Sequence, residues 1–258
     1  MIRTVAHKLL NPQQRRMIRR WLDRLGFEHR FLRLRRSGYR LLSGCGVEIG
    51  AFEHPAPVPP RCTVRYLDVL TPKQAKEIFP EIDETKLVPI DLLVDLDRSG
   101  LAEIPSATQQ FVIACHVIEH VANPGRLVAE MVRVLRPGGH LVIAAPDRDY
   151  TFDRNRPLTP LATLQTYYEQ GRPQITPEDY RDVLTYVHPA IAEQSEPARA
   201  AFLANAHQRR EHLSVWTSDT FREFLLAAFN WCGAKMAPEY EVGSTRNRFE
   251  YFGVWRKL

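Results

Sequence analysis

A chain of 258 residues, 44% hydrophobic and 25% charged, has the balance of a water-soluble globular protein with a core of its own. No apolar run approaches the roughly 18 residues of a membrane-spanning helix, and the start lacks the charged, apolar, small-residue order of a secretory signal. The four cysteines, Cys45, Cys62, Cys115 and Cys232, are scattered and form no CxxC pair, which points to a reducing, cytoplasmic compartment.

The net charge of +5 is unevenly placed. Residues 1–45 carry twelve Lys and Arg against Asp23 and Glu28, so the remainder is acidic overall. Within that stretch Ile18, Trp21, Leu22 and Leu25 share one helical face, while Arg15, Arg16, Arg19, Arg20 and Arg24 lie off it. The pattern predicts a basic helical extension. It either packs on the following domain with a solvated basic face, or rests peripherally on an anionic inner-membrane surface or lipid-linked substrate. No zinc-finger, RNP or helix-turn-helix signature accompanies the charge, so no specific nucleic acid is expected as a partner.

After Ser37-Gly38 the pattern changes. Val47, Glu48 and Ile49 lean toward a strand, followed by Gly50 and Ala51 and a proline-rich stretch to Pro60. Residues 63–67 read as a second strand ending at Asp68, 72–79 as a helix, and 87–94 as a third strand leading into Asp95. Residues 111–115 read as a fourth strand. Leu127, Val128, Met131, Val132 and Leu135 then recur at helical spacing, and Pro137-Gly138-Gly139 is expected to end that helix. A fifth strand, 141–145, stops at Pro146-Asp147. This strand–helix–strand crossover is the unit of parallel α/β sheets, whose ligands sit beyond the carboxyl ends of the strands. His116, Glu119, His120, Asp147 and Asp149 fall there. Residues 151–211 read as polar and helical, 218–229 as an amphipathic helix, and 235–242 and 249–255 as two closing strands.

The stretches VEIG (47–50), Asp68, VIEHVANPGRLVAEMVRVLRPGGHLVIAAPD (117–147) and RFEYFGVWRK (248–257) carry a resemblance. From about residue 46 to 258 the chain resembles the class I S-adenosylmethionine-dependent methyltransferases. The resemblance implies an α/β, Rossmann-like, seven-stranded sheet with a substrate-covering helical insertion after the fifth strand. It also implies S-adenosylmethionine held around Glu48, Ile49, Gly50, Ala51, Asp68, Val69, Asp95, Cys115 and His116. Glu48 would hold the ammonium group, Gly50 would admit the methionine end, Asp68 would accept the ribose hydroxyls, and Asp95, preferred to Asp97 because it directly follows the strand, would reach the adenine amino group. The usual glycine-rich loop is reduced to Gly50-Ala51-Phe52, with Glu53-His54-Pro55 where later glycines would stand. The phrase PDRDYTFDRNRPLTPL (146–161) is similar to a subgroup found among bacterial surface-polysaccharide and glycan-modifying genes.

His116-Val-Ile-Glu119-His120 also spells HxxEH, but a zinc protease needs both histidines on one helix, and His116 ends a strand. A divalent ion, which the resemblance leaves open without favouring it, would take His116, Glu119 and His120. Methyl transfer to a hydroxyl needs a positioned acceptor and a base, and a histidine suits the proton. The candidates are His212, His116 and His120, with Asp153 beside them; Tyr150, Asp153, Arg154 and Arg156 are the candidates for holding the acceptor. The expected reaction is O-methylation of a hydroxyl on a sugar, glycan or glycolipid precursor. N- or O-methylation of a small secondary metabolite is the alternative, as is a non-catalytic scaffold that partners a glycosyltransferase.

Overall fold

The structure, a computed structural model, describes residues 30–172 and 174–258. The expected amphipathic helix around Trp21 lies outside them. Seven strands form one sheet in the order β3-β2-β1-β4-β5-β7-β6. They are β1 (Gly44–Ile49), β2 (Cys62–Asp68), β3 (Leu92–Leu93), β4 (Gln109–Cys115), β5 (Leu135–Pro146), β6 (Met236–Val242) and β7 (Glu250–Lys257). The first five run parallel, and β7 is antiparallel to both β5 and β6. This is the Rossmann-like α/β sheet that the sequence implies. Strand order reverses between β1 and β4, and a crevice opens at such a switch point.

Alternation along the central strands explains why both faces are covered. Val112 and Ala114 of β4 enter one core with Leu141, Ile143, Met131 and Phe224, while Phe111 and Ile113 enter another with Val142, Phe252 and Tyr39. The first core is roofed by α3 (Pro124–Val134) and α8 (Ser218–Trp231). Asn123 caps α3 by accepting from Arg126 N at 3.0 Å, and Thr217 opens α8 in a capping box with Thr220. The second core is closed by α1 (Arg30–Tyr39), whose Tyr39 meets Phe252 edge-on at 5.6 Å. Gly46 is required between β1 and β4, because a Cβ there would stand 2.4 Å from the Phe111 carbonyl oxygen.

Two sequence expectations are corrected. The helix before Pro137-Gly138-Gly139 ends earlier, at Val134, because Leu135 is extended and pairs with Gln109. The Pro-Gly-Gly run then forms an irregular opening of β5 before His140 pairs with Phe111. The third strand shrinks to Leu92–Leu93, since Pro89 within the predicted run has no amide to give to a ladder. A short helix, α2 (Pro72–Ile78), precedes it.

The insertion after β5 is helical, as expected: α4 (Leu161–Gln170), α5 (Arg181–Val187), α6 (Pro189–Ala192) and α7 (Glu196–Arg209). Tyr180, Val183, Leu184, Leu203 and Ala206 give it a small core, and Ala122 of the main domain belongs to that core too. The insertion is thereby fastened beside the carboxyl end of β4. A short helix, α9 (Ser244–Asn247), leads into β7. No helix among the described residues is long and apolar enough to cross a membrane.

Candidate functional site

A cavity of about 550 Å³ opens at the carboxyl ends of β1, β2 and β4. Ile49, Gly50, Asp68, Val69, Asp95 and His116, all expected at a cofactor site, line it. Gly50 has φ +69°, a conformation that favours glycine, and a Cβ there would meet Val117 at 2.9 Å. Asp68 ends β2 with its carboxylate accepting from Leu70 N at 3.1 Å, and burial pushes that carboxyl up from its ordinary value. Asp95 lines the cavity, whereas Asp97 is turned away: it accepts from Ala122 N at 2.7 Å and pairs with Arg210. Two carboxylates at neighbouring strand ends, beside a glycine turn, form a fitting cradle for a nucleoside with hydroxyl and amino donors.

Other expected cofactor residues stand off the cavity. Both Glu48 oxygens face the Ala56 amide, at 3.0 and 3.1 Å, so this carboxylate holds the proline-rich loop; burial pushes it up to about 7. Ala51 is buried outside the lining. The Cys115 sulfur lies 3.6 Å from Tyr39 Oη in the second core, and burial pushes the thiol up to about 11.

Sequence reasoning missed part of the wall. Phe52 and Phe79, edge-on at 5.8 Å, supply an apolar side, and residues 208–211 from the end of the insertion cover the cavity. Arg209 reaches the Ile78 carbonyl at 3.0 Å and Glu81 at 2.6 Å, and lies over Phe79 at 4.6 Å. These residues come from a loop and a helix end, where no periodicity announces a site. Only the position of the insertion after β5 could have hinted at them.

His116 adopts φ +59° and stacks on Phe249 at 5.0 Å. Its Nε2 donates to Glu250 at 2.6 Å, and Glu250, fully buried, also accepts from Arg35 Nε of α1 at 2.7 Å. Burial alone would lower the His116 pKa, but the Glu119 and Glu250 carboxylates outweigh it and raise it to about 9. The short turn Ile118–His120 follows. His120 also lines the cavity, and its Nδ1 donates to the Arg210 carbonyl at 2.5 Å; burial pushes its pKa down. Burial would raise Glu119, yet His116, with His120 and His212 nearby, holds it down at about 2.

Beyond His120 stands His212, ring centroids 4.9 Å apart, with its Nδ1 donating to Asp153 at 2.6 Å. Burial pushes Asp153 up, but His212 and Arg156 more than reverse it. Tyr150, Asp153, Arg154, Arg156 and His212, expected around an acceptor, do not line the cavity. Arg156 is fully buried and paired with Asp153 at 2.6 Å and Asp182 at 2.8 Å, so it braces the turn away from the cavity. Tyr150 carries Arg248 over its ring at 5.1 Å, and Arg154 is exposed. Asp147 is equally structural, accepting from Ser218 N at 2.7 Å and Ser244 Oγ at 2.6 Å. Among the expected metal candidates, His116 is turned to Glu250, while Glu119 and His120 come together with His212 instead.

A family model described as a methyltransferase domain matches residues 14–231. A probable S-adenosylmethionine-dependent methyltransferase of Mycolicibacterium smegmatis is 37% identical over 75 residues, 28% of this chain and 29% of that protein. A similarly named protein of Mycobacterium tuberculosis is 30% identical over 123 residues, 41% of this chain and 45% of that protein. The matches thus span less than half of either relative. A solved S-adenosylmethionine-dependent methyltransferase of Thermotoga maritima aligns at TM-score 0.46 and 15% identity, covering 94% of each chain. The chain belongs to the methyltransferase-domain family, in its class I, S-adenosylmethionine-dependent form.

Proposed function

We propose that the protein transfers a methyl group from S-adenosylmethionine to a hydroxyl oxygen on a sugar, glycan or glycolipid precursor. The observation that carries this reading is a single cavity that joins Gly50, Asp68 and Asp95 to His116 and His120. The cofactor supplies a methyl group on a sulfonium: a C–O bond forms at the acceptor as the C–S bond breaks, and sulfur keeps the electron pair. Asp68 and Asp95 accept from the ribose and adenine groups, and Gly50 lets the backbone approach. The proton leaves the acceptor toward His120, a cavity residue whose pKa burial pushes down, and not toward His116, which its carboxylates keep protonated; Asp153 fixes the orientation of His212 beside it. Arg209 and Arg210 latch the insertion over the cavity through Glu81 and Asp97, which keeps water from competing for the methyl group.

The sugar acceptor is supported by the 146–161 phrase and by Phe152, a half-exposed aromatic ring tilted on His212 at 4.7 Å. Such a ring offers an apolar platform to the face of a pyranose. The basic stretch within residues 1–45 supports peripheral contact with an anionic membrane face or a lipid-linked carrier, and so a place on its cytoplasmic side. The test is methyl-labelled S-adenosylmethionine offered with nucleotide sugars, lipid-linked glycans and a phenol and amine panel. Label recovered as a sugar methyl ether is the expected result; label confined to amines or phenols would overturn the acceptor assignment.

A further inference from the structure

We propose that Glu119, His120 and His212 together hold one divalent transition-metal ion. The backbone itself brings the three together. Leu213 N and Ser214 N, at the end of the insertion, donate to the Glu119 carbonyl at 2.7 and 3.2 Å, which sets His212 beside the turn that carries Glu119 and His120. One ligand atom from each of the three lies within 4.8 Å of the others.

Two independent features point to an ion. The first is the Glu119 carboxylate, which is fully buried with neither oxygen hydrogen-bonded among the described residues. His116 Nδ1 stands at 3.4 Å, while His120 Nε2 and His212 Nε2 stand at 3.8 and 3.9 Å, beyond a hydrogen bond. His116 at 3.4 Å answers the charge, but buried carboxylate oxygens without a hydrogen bond are uncommon and point to a missing partner. The second feature is the orientation of both imidazoles. His120 gives Nδ1–H to a carbonyl and His212 gives Nδ1–H to a carboxylate, which in the neutral rings leaves each Nε2, facing Glu119, as the free ligand atom. A ligand histidine is oriented in this way, with its outer nitrogen tied to a carbonyl or carboxylate. Asp153 is in turn fixed by Arg156.

Two imidazoles and one carboxylate suit zinc or a neighbouring first-row ion far better than magnesium or calcium, which prefer oxygen. Tetrahedral ligands at about 2.1 Å stand about 3.4 Å apart, so the set closes with side-chain shifts of about 1 Å. Three protein ligands leave a fourth position for water or an acceptor oxygen. That last point rests on the proposed reaction; the ion itself does not.

The test uses tag-free, chelator-treated full-length protein titrated with Zn²⁺, Mn²⁺ and Mg²⁺ by calorimetry, and with Co²⁺ by visible absorption. One Zn²⁺ per chain should bind at least 100-fold more tightly than Mg²⁺, with a tetrahedral Co²⁺ band. Glu119→Gln, His120→Gln and His212→Ala should each weaken Zn²⁺ at least 30-fold and abolish the band, while His54→Ala, at an exposed position, should change neither. His212 lies nearer the surface than Glu119, so it carries the test if Glu119→Gln fails to fold. No stoichiometric Zn²⁺, or Zn²⁺ held equally by the His120 and His212 variants, would overturn the proposal. S-adenosylmethionine binding measured on the same metal-free sample keeps the two readings apart. A protein that binds the cofactor but takes up no Zn²⁺ sinks the ion alone, and Zn²⁺ binding without sugar methylation sinks the acceptor alone.

Discussion

Glu48 illustrates how burial turns one carboxylate into a pH-dependent strain. Its folded pKa of about 7 stands above the ordinary 4.5, so the folded protein keeps a proton that the unfolded chain gives up between those values. Its contribution to stability is therefore full below pH 4.5 and is lost as pH rises through 7. Gln at this position still offers Ala56 N an acceptor without the charge. Glu48→Gln should raise stability at pH 8 by about 2 kcal/mol and leave it nearly unchanged at pH 4, as read from melting curves. A variant less stable at pH 8 would contradict this account. For Asp68, alanine leaves cofactor hydroxyls unpaired in a closed site, so affinity measured by calorimetry should weaken by about 1 to 3 kcal/mol. His212→Ala should instead depress methyl transfer strongly while S-adenosylmethionine affinity stays within about twofold. The cavity-lining places of Asp68 and Gly50 were legible because the resemblance carries them onto the ends of two strands. The commitment of Arg156 to Asp182 was not, since that pairing joins two turns through the fold of the insertion.

Among the elements, the end of α7 has the largest consequence for the cofactor. Arg210 pairs with Asp97, adopts φ +52°, and gives its carbonyl to His120, so one residue ties the insertion to both sides of the cavity. Arg210→Ala should loosen that cover. The expected outcome is faster release of S-adenosylmethionine in stopped-flow and a higher KM for it, with the melting temperature shifted little; unchanged release kinetics would remove the latch from the account. Helices α3 and α8 were readable from apolar spacing and caps, which are local signals. The boundary of α3 was misplaced because Pro-Gly-Gly, normally a stop, here opens a strand, and strand pairing is decided by the partner Gln109. The cover made by residues 208–211 left no local trace at all, because it depends on where the whole insertion folds back.

For the molecule as a whole, the succession of strands and crossovers pointed to a parallel α/β sheet, and the resemblance supplied its seven strands. The charge asymmetry suggests a test at the same scale. If residues 1–45 meet an anionic surface, co-sedimentation with anionic vesicles should fall steeply with salt and fall again when Arg15, Arg16, Arg19 and Arg20 become Gln. Absence of binding at low salt would leave the basic face simply solvated.

Arg35 belongs by sequence to that basic stretch, yet its guanidinium ends inside the fold on Glu250, which holds His116 at the cavity wall. Phe31 extends the same line by resting on Phe249, and Phe249 on His116. Composition would invite an experimenter to trim the chain at residue 45 and keep the rest. Such a truncation would strand Glu250 and Glu119 with one imidazolium between them, and remove an aromatic prop from beneath it. The shortened protein should melt earlier and bind S-adenosylmethionine more weakly than a version beginning at residue 30, although neither lost residue touches the cavity. Where the charge changes along the chain is thus a poor guide to where it can safely be cut.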